Sequence, residues 1–101
     1  MSVSPLLAEI LDTLEGLQKK LPNTKWYGFG SFFQGRSSFN DIDLLAVCLD
    51  AGEVLSVRSA LSELSTAWPI HLIIMTDAEE AETEFIFRQG CQLLAESPRF
   101  L

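Results

Sequence analysis

The first part of the chain carries leucine and isoleucine at helical spacing. These residues recur every three or four positions and form one apolar stripe: Leu7, Ile10, Leu11, Leu14 and Leu17. Ser4 is a suitable N-cap, and Pro5 fits the first helical position because its missing N–H has no helical partner there. Pro22 prevents continuation. The pattern therefore predicts a helix over residues 4–20 with one buried face.

Two stretches with strand composition follow, separated by a loop. Residues 24–29 are rich in aromatic side chains and end at a glycine, which predicts a short strand. Residues 30–40 contain glycines and serines and predict a loop with room for one helical turn. Residues 41–49 predict a second strand, and its segment 44–49 is apolar on both faces. That pattern is typical of a central strand covered on both sides.

The second half of the chain predicts a helix, a strand and a last helix. The helix covers residues 53–67, with Val54, Val57, Leu61 and Leu64 on one side, and the strand covers residues 70–75. Thr76 or Asp77 is expected to cap a helix that runs to about Glu96, since Asp77 and Glu80 have capping-box spacing. The predicted fold is α+β, a two-layer arrangement in which helices pack on a small mixed sheet of about three strands.

The length predicts the number of domains, and the net charge disfavours some classes of binding partner. With 101 residues, one domain over 1–101 is predicted. Seven basic residues against fourteen acidic ones leave a net charge of −7. This charge disfavours a nucleic-acid grip or an anionic membrane surface, both of which need cationic patches. A cation, or a small anionic substrate that arrives with a cation, fits the charge.

The cysteines and the N-terminal segment bear on the compartment. Cys48 and Cys91 have no CxxC or Cys/His spacing, which argues against a zinc ribbon and a disulfide scaffold. We expect two free thiols in a reducing cytoplasm. Acidic residues interrupt the N-terminal apolar stretch, and no apolar run approaches the ~20 residues of a membrane span. A soluble cytoplasmic protein is therefore the prediction.

Two carboxylates stand at the start of the second predicted strand. Residues two apart on a strand share a face, so Asp41 and Asp43 are expected to have Cβ atoms about 6.5 Å apart. Two charges at that range repel by about 2–3 kcal/mol at an effective dielectric near 20. Asp41 could simply cap a turn, but Asp43 lies in an apolar strand, where a charge is costly without a partner. A magnesium ion would offset both the repulsion between the two carboxylates and the cost of the Asp43 charge, because it takes carboxylate and phosphate oxygens as ligands.

A Gly-Ser pair directly follows the first predicted strand. Backbone N–H groups in such a turn can form an anion-binding concavity, and Ser31 adds a hydroxyl donor beside Gly30. Gly35 allows close approach or a positive φ on the far side of the loop. An ordinary strand-ending loop is the alternative for this pair. Together with the carboxylates, however, the loop has the composition needed to hold a metal–nucleotide complex.

The motif Gly30-Ser31, nine residues, then Asp41-Ile42-Asp43-Leu44 resembles the minimal nucleotidyltransferases of the DNA polymerase beta-like superfamily. The resemblance implies magnesium-dependent transfer of a nucleoside monophosphate from a triphosphate such as ATP to a hydroxyl acceptor. It implies that Asp41 and Asp43 are catalytic and bind magnesium. It also implies nucleotide-binding roles for the loop residues Gly30, Ser31, Gly35 and Arg36.

The sequence departs from this family at three points. Phe32, Phe33 and Gln34 replace loop residues that are commonly basic, which leaves Arg36 as the nearby cation. His71 stands where the family places a third carboxylate, either as a ligand or base or as a strand histidine bonded to a carbonyl. No acceptor-binding domain is evident, so acceptor choice is expected to come from a partner or from very little surface of this chain.

These departures support a second hypothesis. The chain could be a catalytically degenerate nucleotidyltransferase-fold module that acts like an antitoxin beside a helical partner protein encoded nearby. Phe32, Phe33 and Phe39 would then be interface anchors, or else they fold onto the core. A structural acidic adaptor is a third reading, but it leaves Asp43 unexplained. The oligomeric state is left open, with a homo-oligomer among the alternatives.

Overall fold

The structure, a computed structural model, describes residues 5–35, 41–62 and 68–95. Helices and strands alternate along this part of the chain. In chain order they are α1 (Pro5–Lys20), β1 (Lys25–Phe29), α2 (Gly30–Phe33), β2 (Ile42–Cys48), α3 (Ala51–Leu61), β3 (Ile70–Thr76), α4 (Asp77–Thr83), α5 (Phe85–Gln89) and β4 (Gln92–Ala95). The proposed N-cap Ser4 lies outside the described residues.

The strands form one mixed sheet in the order β3-β2-β1-β4. Strand β1 pairs antiparallel with both β2 and β4, whereas β2 and β3 are parallel. The connection between the parallel strands contains α3, as a parallel pair requires a long crossover. Strand β2 is an inner strand and is almost fully buried, so the prediction of a covered central strand is confirmed.

The core lies on the sheet face that α1 and α3 cover. Ile10 and Leu14 of the predicted apolar stripe are buried there, together with Trp26 of β1 and Val57 of α3. Alternate residues of β2 face this cluster: Ile42, Leu44, Ala46 and Cys48. The helical periodicity of α1 therefore predicted its buried face correctly.

The opposite face carries the intervening residues of β2. Leu45 is fully buried there. Phe29 of β1 contacts Phe85 of α5 edge to face, with ring centroids 5.3 Å apart. Thr83 of α4 donates a hydrogen bond to the sulfur of Met75, 3.7 Å away. Helices α4 and α5 therefore cover this second face, on which Asp43 also lies.

The predicted last helix, which ran to Glu96, is wrong. Thr76, not Asp77, caps α4, and its partner in the capping box is Glu79 rather than Glu80. Glu84 then adopts a left-handed conformation with φ 53°, which ends α4. The Glu80 carboxylate is free to accept a hydrogen bond from the Ile86 N–H at the start of α5.

The rest of that segment adds a fourth strand to the three that were predicted. Gly90, with φ 62°, ends α5, since glycine adopts left-handed conformations without a Cβ penalty. Residues Gln92–Ala95 then form β4 beside β1. The prediction of helices packed on a small mixed α+β sheet is confirmed, and the described residues contribute four strands to it in place of about three.

The two cysteines are free thiols, as predicted. Cys48 is buried and Cys91 is half-buried, and burial raises the pKa of both thiols above its usual value. Both side chains are therefore protonated and weakly nucleophilic at neutral pH. In the described part of the chain, no helix is both long and apolar enough to cross a membrane.

Truncation of Leu14 to alanine is expected to lower the free energy of unfolding by about 2–5 kcal/mol, because it opens a cavity in the core. Leu14 is 0% exposed, whereas Leu55 on α3 is 74% exposed. Leu55→Ala is the control and should change the free energy by less than about 0.5 kcal/mol. Urea denaturation measures both, and equal effects would contradict the assignment of the core.

Candidate functional site

The antiparallel pairing of β1 and β2 brings the Gly-Ser pair to the carboxylates. Phe29, the last residue of β1, pairs with Asp43 near the start of β2. Gly30 and Ser31 follow directly as the first residues of α2. The structure thus places the two halves of the sequence motif at the same end of the two inner strands, although a loop separates them along the chain.

Gly30 and the Asp43 carboxylate lie in direct contact. A Cβ placed on Gly30 would overlap Asp43 Oδ2 and would lie 3.2 Å from Asp43 Cγ. Gly30 also has φ 80°, a conformation that residues with a Cβ rarely adopt. Glycine is therefore required here for two reasons, and one of them is the position of the carboxylate.

His71 lies beside Asp43 on the neighbouring strand. The two residues are register partners in the parallel pairing of β2 and β3, and His71 Nδ1 is 3.0 Å from Asp43 Oδ1. The Nδ1 of the ring therefore faces this carboxylate, and not the backbone carbonyl that one of the two alternatives proposed for it. An ionised carboxylate only accepts hydrogen bonds, so a hydrogen bond between these two atoms requires the hydrogen on Nδ1. The side chains are 57% exposed for His71 and 22% exposed for Asp43.

Asp41 precedes β2 directly and is exposed. Within residues 5–35, 41–62 and 68–95, no three or more His, Cys, Asp or Glu side chains form a group that could hold a metal ion. A magnesium ion bound with a nucleotide needs fewer protein ligands, because it often uses one or two carboxylates plus phosphate oxygens. Asp41 and Asp43 have the carboxylate oxygens that such an ion takes as ligands, whereas His71 has its Nδ1 turned to Asp43. Their joint role as metal ligands stays a prediction.

The loop after Gly30 is a short helical turn, as predicted. No side chain caps the first turn of α2, and the Gln34 N–H donates to the carbonyl oxygens of Gly30 and Ser31 at 3.2 Å. Gly35 has φ 78°, which confirms the positive φ that was one of its two expected roles. Arg36, expected to replace the lost basic residues, lies outside the described residues. The nucleotide-binding roles of these loop residues stay predictions.

The loop phenylalanines pack onto the core. Phe32 and Phe33 are half-buried, pack against the core cluster and contact each other edge to face, with ring centroids 5.0 Å apart. A Cβ at Gly28 would lie 2.7 Å from the Phe33 ring, so Gly28 provides the space for that ring. Of the two alternatives, folding onto the core is the correct one for Phe32 and Phe33. Phe39 lies outside the described residues.

Two supporting residues of this site were not predicted. The sequence indicated only that Gly28 belongs to a strand. Its contact with Phe33 depends on how α2 packs against β1. Gln92 of β4 donates a hydrogen bond to the Phe33 carbonyl oxygen, 3.4 Å away, at the last residue of α2. The sequence carried no signal for this bond, since residue 92 was expected in a helix.

Comparison with known proteins identifies solved structures that share this fold. No protein-family model and no curated protein matches the chain. A crystal structure described as a toxin-antitoxin with AMP-PNP matches with a TM-score of 0.57 and 18% identity, over 86% of this chain and 73% of that chain. A mutant of the toxin-antitoxin MntA-HpeT matches with a TM-score of 0.55 and 18% identity, over 95% of this chain and 75% of that chain. At this identity the likeness shows a shared fold, which is compatible with the nucleotidyltransferase resemblance.

Proposed function

We propose that this chain binds a nucleoside triphosphate with magnesium and transfers the nucleoside monophosphate to a hydroxyl acceptor. The observation that carries the proposal is the close approach of Asp43 Oδ2 to Gly30, at the place where a Cβ would otherwise stand. It joins a candidate metal ligand to a candidate phosphate-binding turn. The net charge of −7 supports a cation in the complex, because an acidic protein would otherwise repel a polyphosphate.

Four residues have defined roles in this proposal. Asp41 and Asp43 would hold the magnesium, and Gly30 and Ser31 would bind the triphosphate. When bound, magnesium neutralises phosphate charge. The acceptor hydroxyl releases its proton to solvent as its oxygen forms a bond to the α-phosphorus. The bond from that phosphorus to the bridging oxygen breaks, and pyrophosphate leaves. Reactions of this type depend mainly on positioning and electrostatic stabilisation, which such a turn and two carboxylates can provide.

The acceptor in this proposal is a hydroxyl on a partner protein. The two similar structures described above are toxin-antitoxin structures, and one of them contains AMP-PNP, an ATP analogue. This likeness of fold supports a partner protein and a nucleotide for the present chain. A nucleotide substrate and free thiols also agree with a cytoplasmic location, which remains a prediction.

A second candidate function is nucleotide binding without transfer, in the manner of an antitoxin module. The observation that favours it is the hydrogen bond of His71 to Asp43 at the position expected for a third carboxylate. A neutral imidazole adds no negative charge for a metal ion. Both candidates use the same nucleotide site, and they differ in whether transfer follows binding.

Transfer of radiolabel from an α-phosphate-labelled nucleoside triphosphate tests the proposal directly. The protein is incubated with magnesium and the protein encoded beside it, and Asp41→Asn serves as the inactive variant. We expect label on the neighbour with the wild-type protein and at least about 100-fold less with the variant, because a metal ligand is lost. Magnesium-dependent nucleotide binding without label transfer would instead support the second candidate.

A further inference from the structure

The hydrogen bond from His71 directs one of the two oxygens of the Asp43 carboxylate toward β3. Asp43 Oδ1 accepts from the Nδ1–H of His71 at 3.0 Å, and Oδ2 lies against Gly30. Because His71 and Asp43 are register partners on adjacent parallel strands, the backbone pairing places the two side chains next to each other on one face of the sheet. Asp43 therefore has one oxygen, Oδ2, on the side of the Gly-Ser turn, and the other oxygen is turned to β3.

Sites that hold two metal ions place them about 3.5–4 Å apart, which needs carboxylate oxygens directed at both ions. Asp41 and Asp43 bring two negative charges, and the imidazole of His71 brings none when neutral. We infer that this site takes one divalent cation per bound nucleotide, and that His71 sets this limit by holding Asp43 Oδ1. The inference rests on the proposed nucleotide site and applies whether or not transfer follows.

Native mass spectrometry with Mn2+ and AMP-PNP counts the cations on the protein–nucleotide complex. The wild-type protein is expected to bind one Mn2+ with AMP-PNP, whereas His71→Asp is expected to bind two, because it frees Oδ1 and adds a charge. His71→Asn is the matched control: its amide N–H can donate to Oδ1 much as Nδ1 does, so one Mn2+ is expected. Two ions on the wild-type complex, or one ion on the His71→Asp complex, would overturn the inference.

The metal-free protein provides a second readout. His71 is the only histidine in the sequence, so all imidazole nitrogen signals in NMR spectra belong to this residue. In an alkaline buffer we expect the hydrogen on Nδ1 in the wild-type protein and its loss from Nδ1 in Asp43→Ala. A wild-type hydrogen on Nε2 would overturn the inference and leave the proposed function intact. Absence of nucleotide-dependent Mn2+ binding, with the hydrogen on Nδ1, would overturn the proposed nucleotide site and with it the limit of one cation.

Discussion

Gly30→Ala is expected to abolish magnesium-dependent binding of AMP-PNP. The added methyl group would overlap Asp43 Oδ2, so the carboxylate must leave its position or the turn must shift. Either movement separates the candidate metal ligand from the Gly-Ser turn. A thermal shift titration with magnesium and AMP-PNP measures the effect, and at 100 times the dissociation constant the wild-type protein should gain about 2.7 kcal/mol of stability.

Gly90→Ala is the matched control for this substitution. Gly90 also has a positive φ, 62°, but a Cβ there would meet nothing within 4 Å. Both variants should lose about 1 kcal/mol of stability from backbone strain, and only Gly30→Ala should lose the ligand-induced shift. Wild-type binding by Gly30→Ala, or equal loss of binding by Gly90→Ala, would show that contact with Asp43 does not organise the site.

Asp43→Asn is expected to weaken magnesium-dependent nucleotide binding by at least about 100-fold, because even the partners that orient a metal ligand contribute 10–100-fold to affinity. The substitution keeps the shape of the side chain and removes its charge. An asparagine oxygen can still accept from His71, so the fold should be retained. Isothermal titration calorimetry with AMP-PNP, in the presence and absence of magnesium, measures the loss.

Asp12→Asn controls for the change in net charge. Asp12 is exposed on α1, a helix that covers the face of the sheet opposite Asp43. We expect its affinity for magnesium and AMP-PNP to match that of the wild-type protein. If Asp43→Asn binds as tightly as Asp12→Asn, the carboxylate is not a metal ligand and the proposed function fails.

The sequence correctly predicted the elements whose buried side follows from the spacing of their own apolar residues. The stripe through Ile10 and Leu14 predicted the buried face of α1, and the apolar run of β2 predicted an inner strand. Both patterns depend on the period of side-chain positions along a helix or strand, which the sequence displays directly. The motif and its spacing predicted only that the Gly-Ser pair and the two carboxylates belong to one site.

The end of the chain was mispredicted because competing local signals were nearly equal. Thr76 and Asp77 are both good N-caps with a glutamate three residues later, and only the structure shows that Thr76 is used. The left-handed Glu84 could not be foreseen, since glutamate has no preference for that conformation. Strand β4 is short, and it forms because β1 presents an edge to pair with.

By itself, the amino-acid sequence determined the α+β class, the buried faces of α1 and β2, and the residues available for chemistry. Tertiary structure alone decided that Asp43 is held between Gly30 and His71, which are 41 positions apart in the chain numbering. The physical reason is that side-chain period is a local property. The register between β1, β2 and β3 instead depends on how whole strands pair, and that register places both neighbours against a single carboxylate.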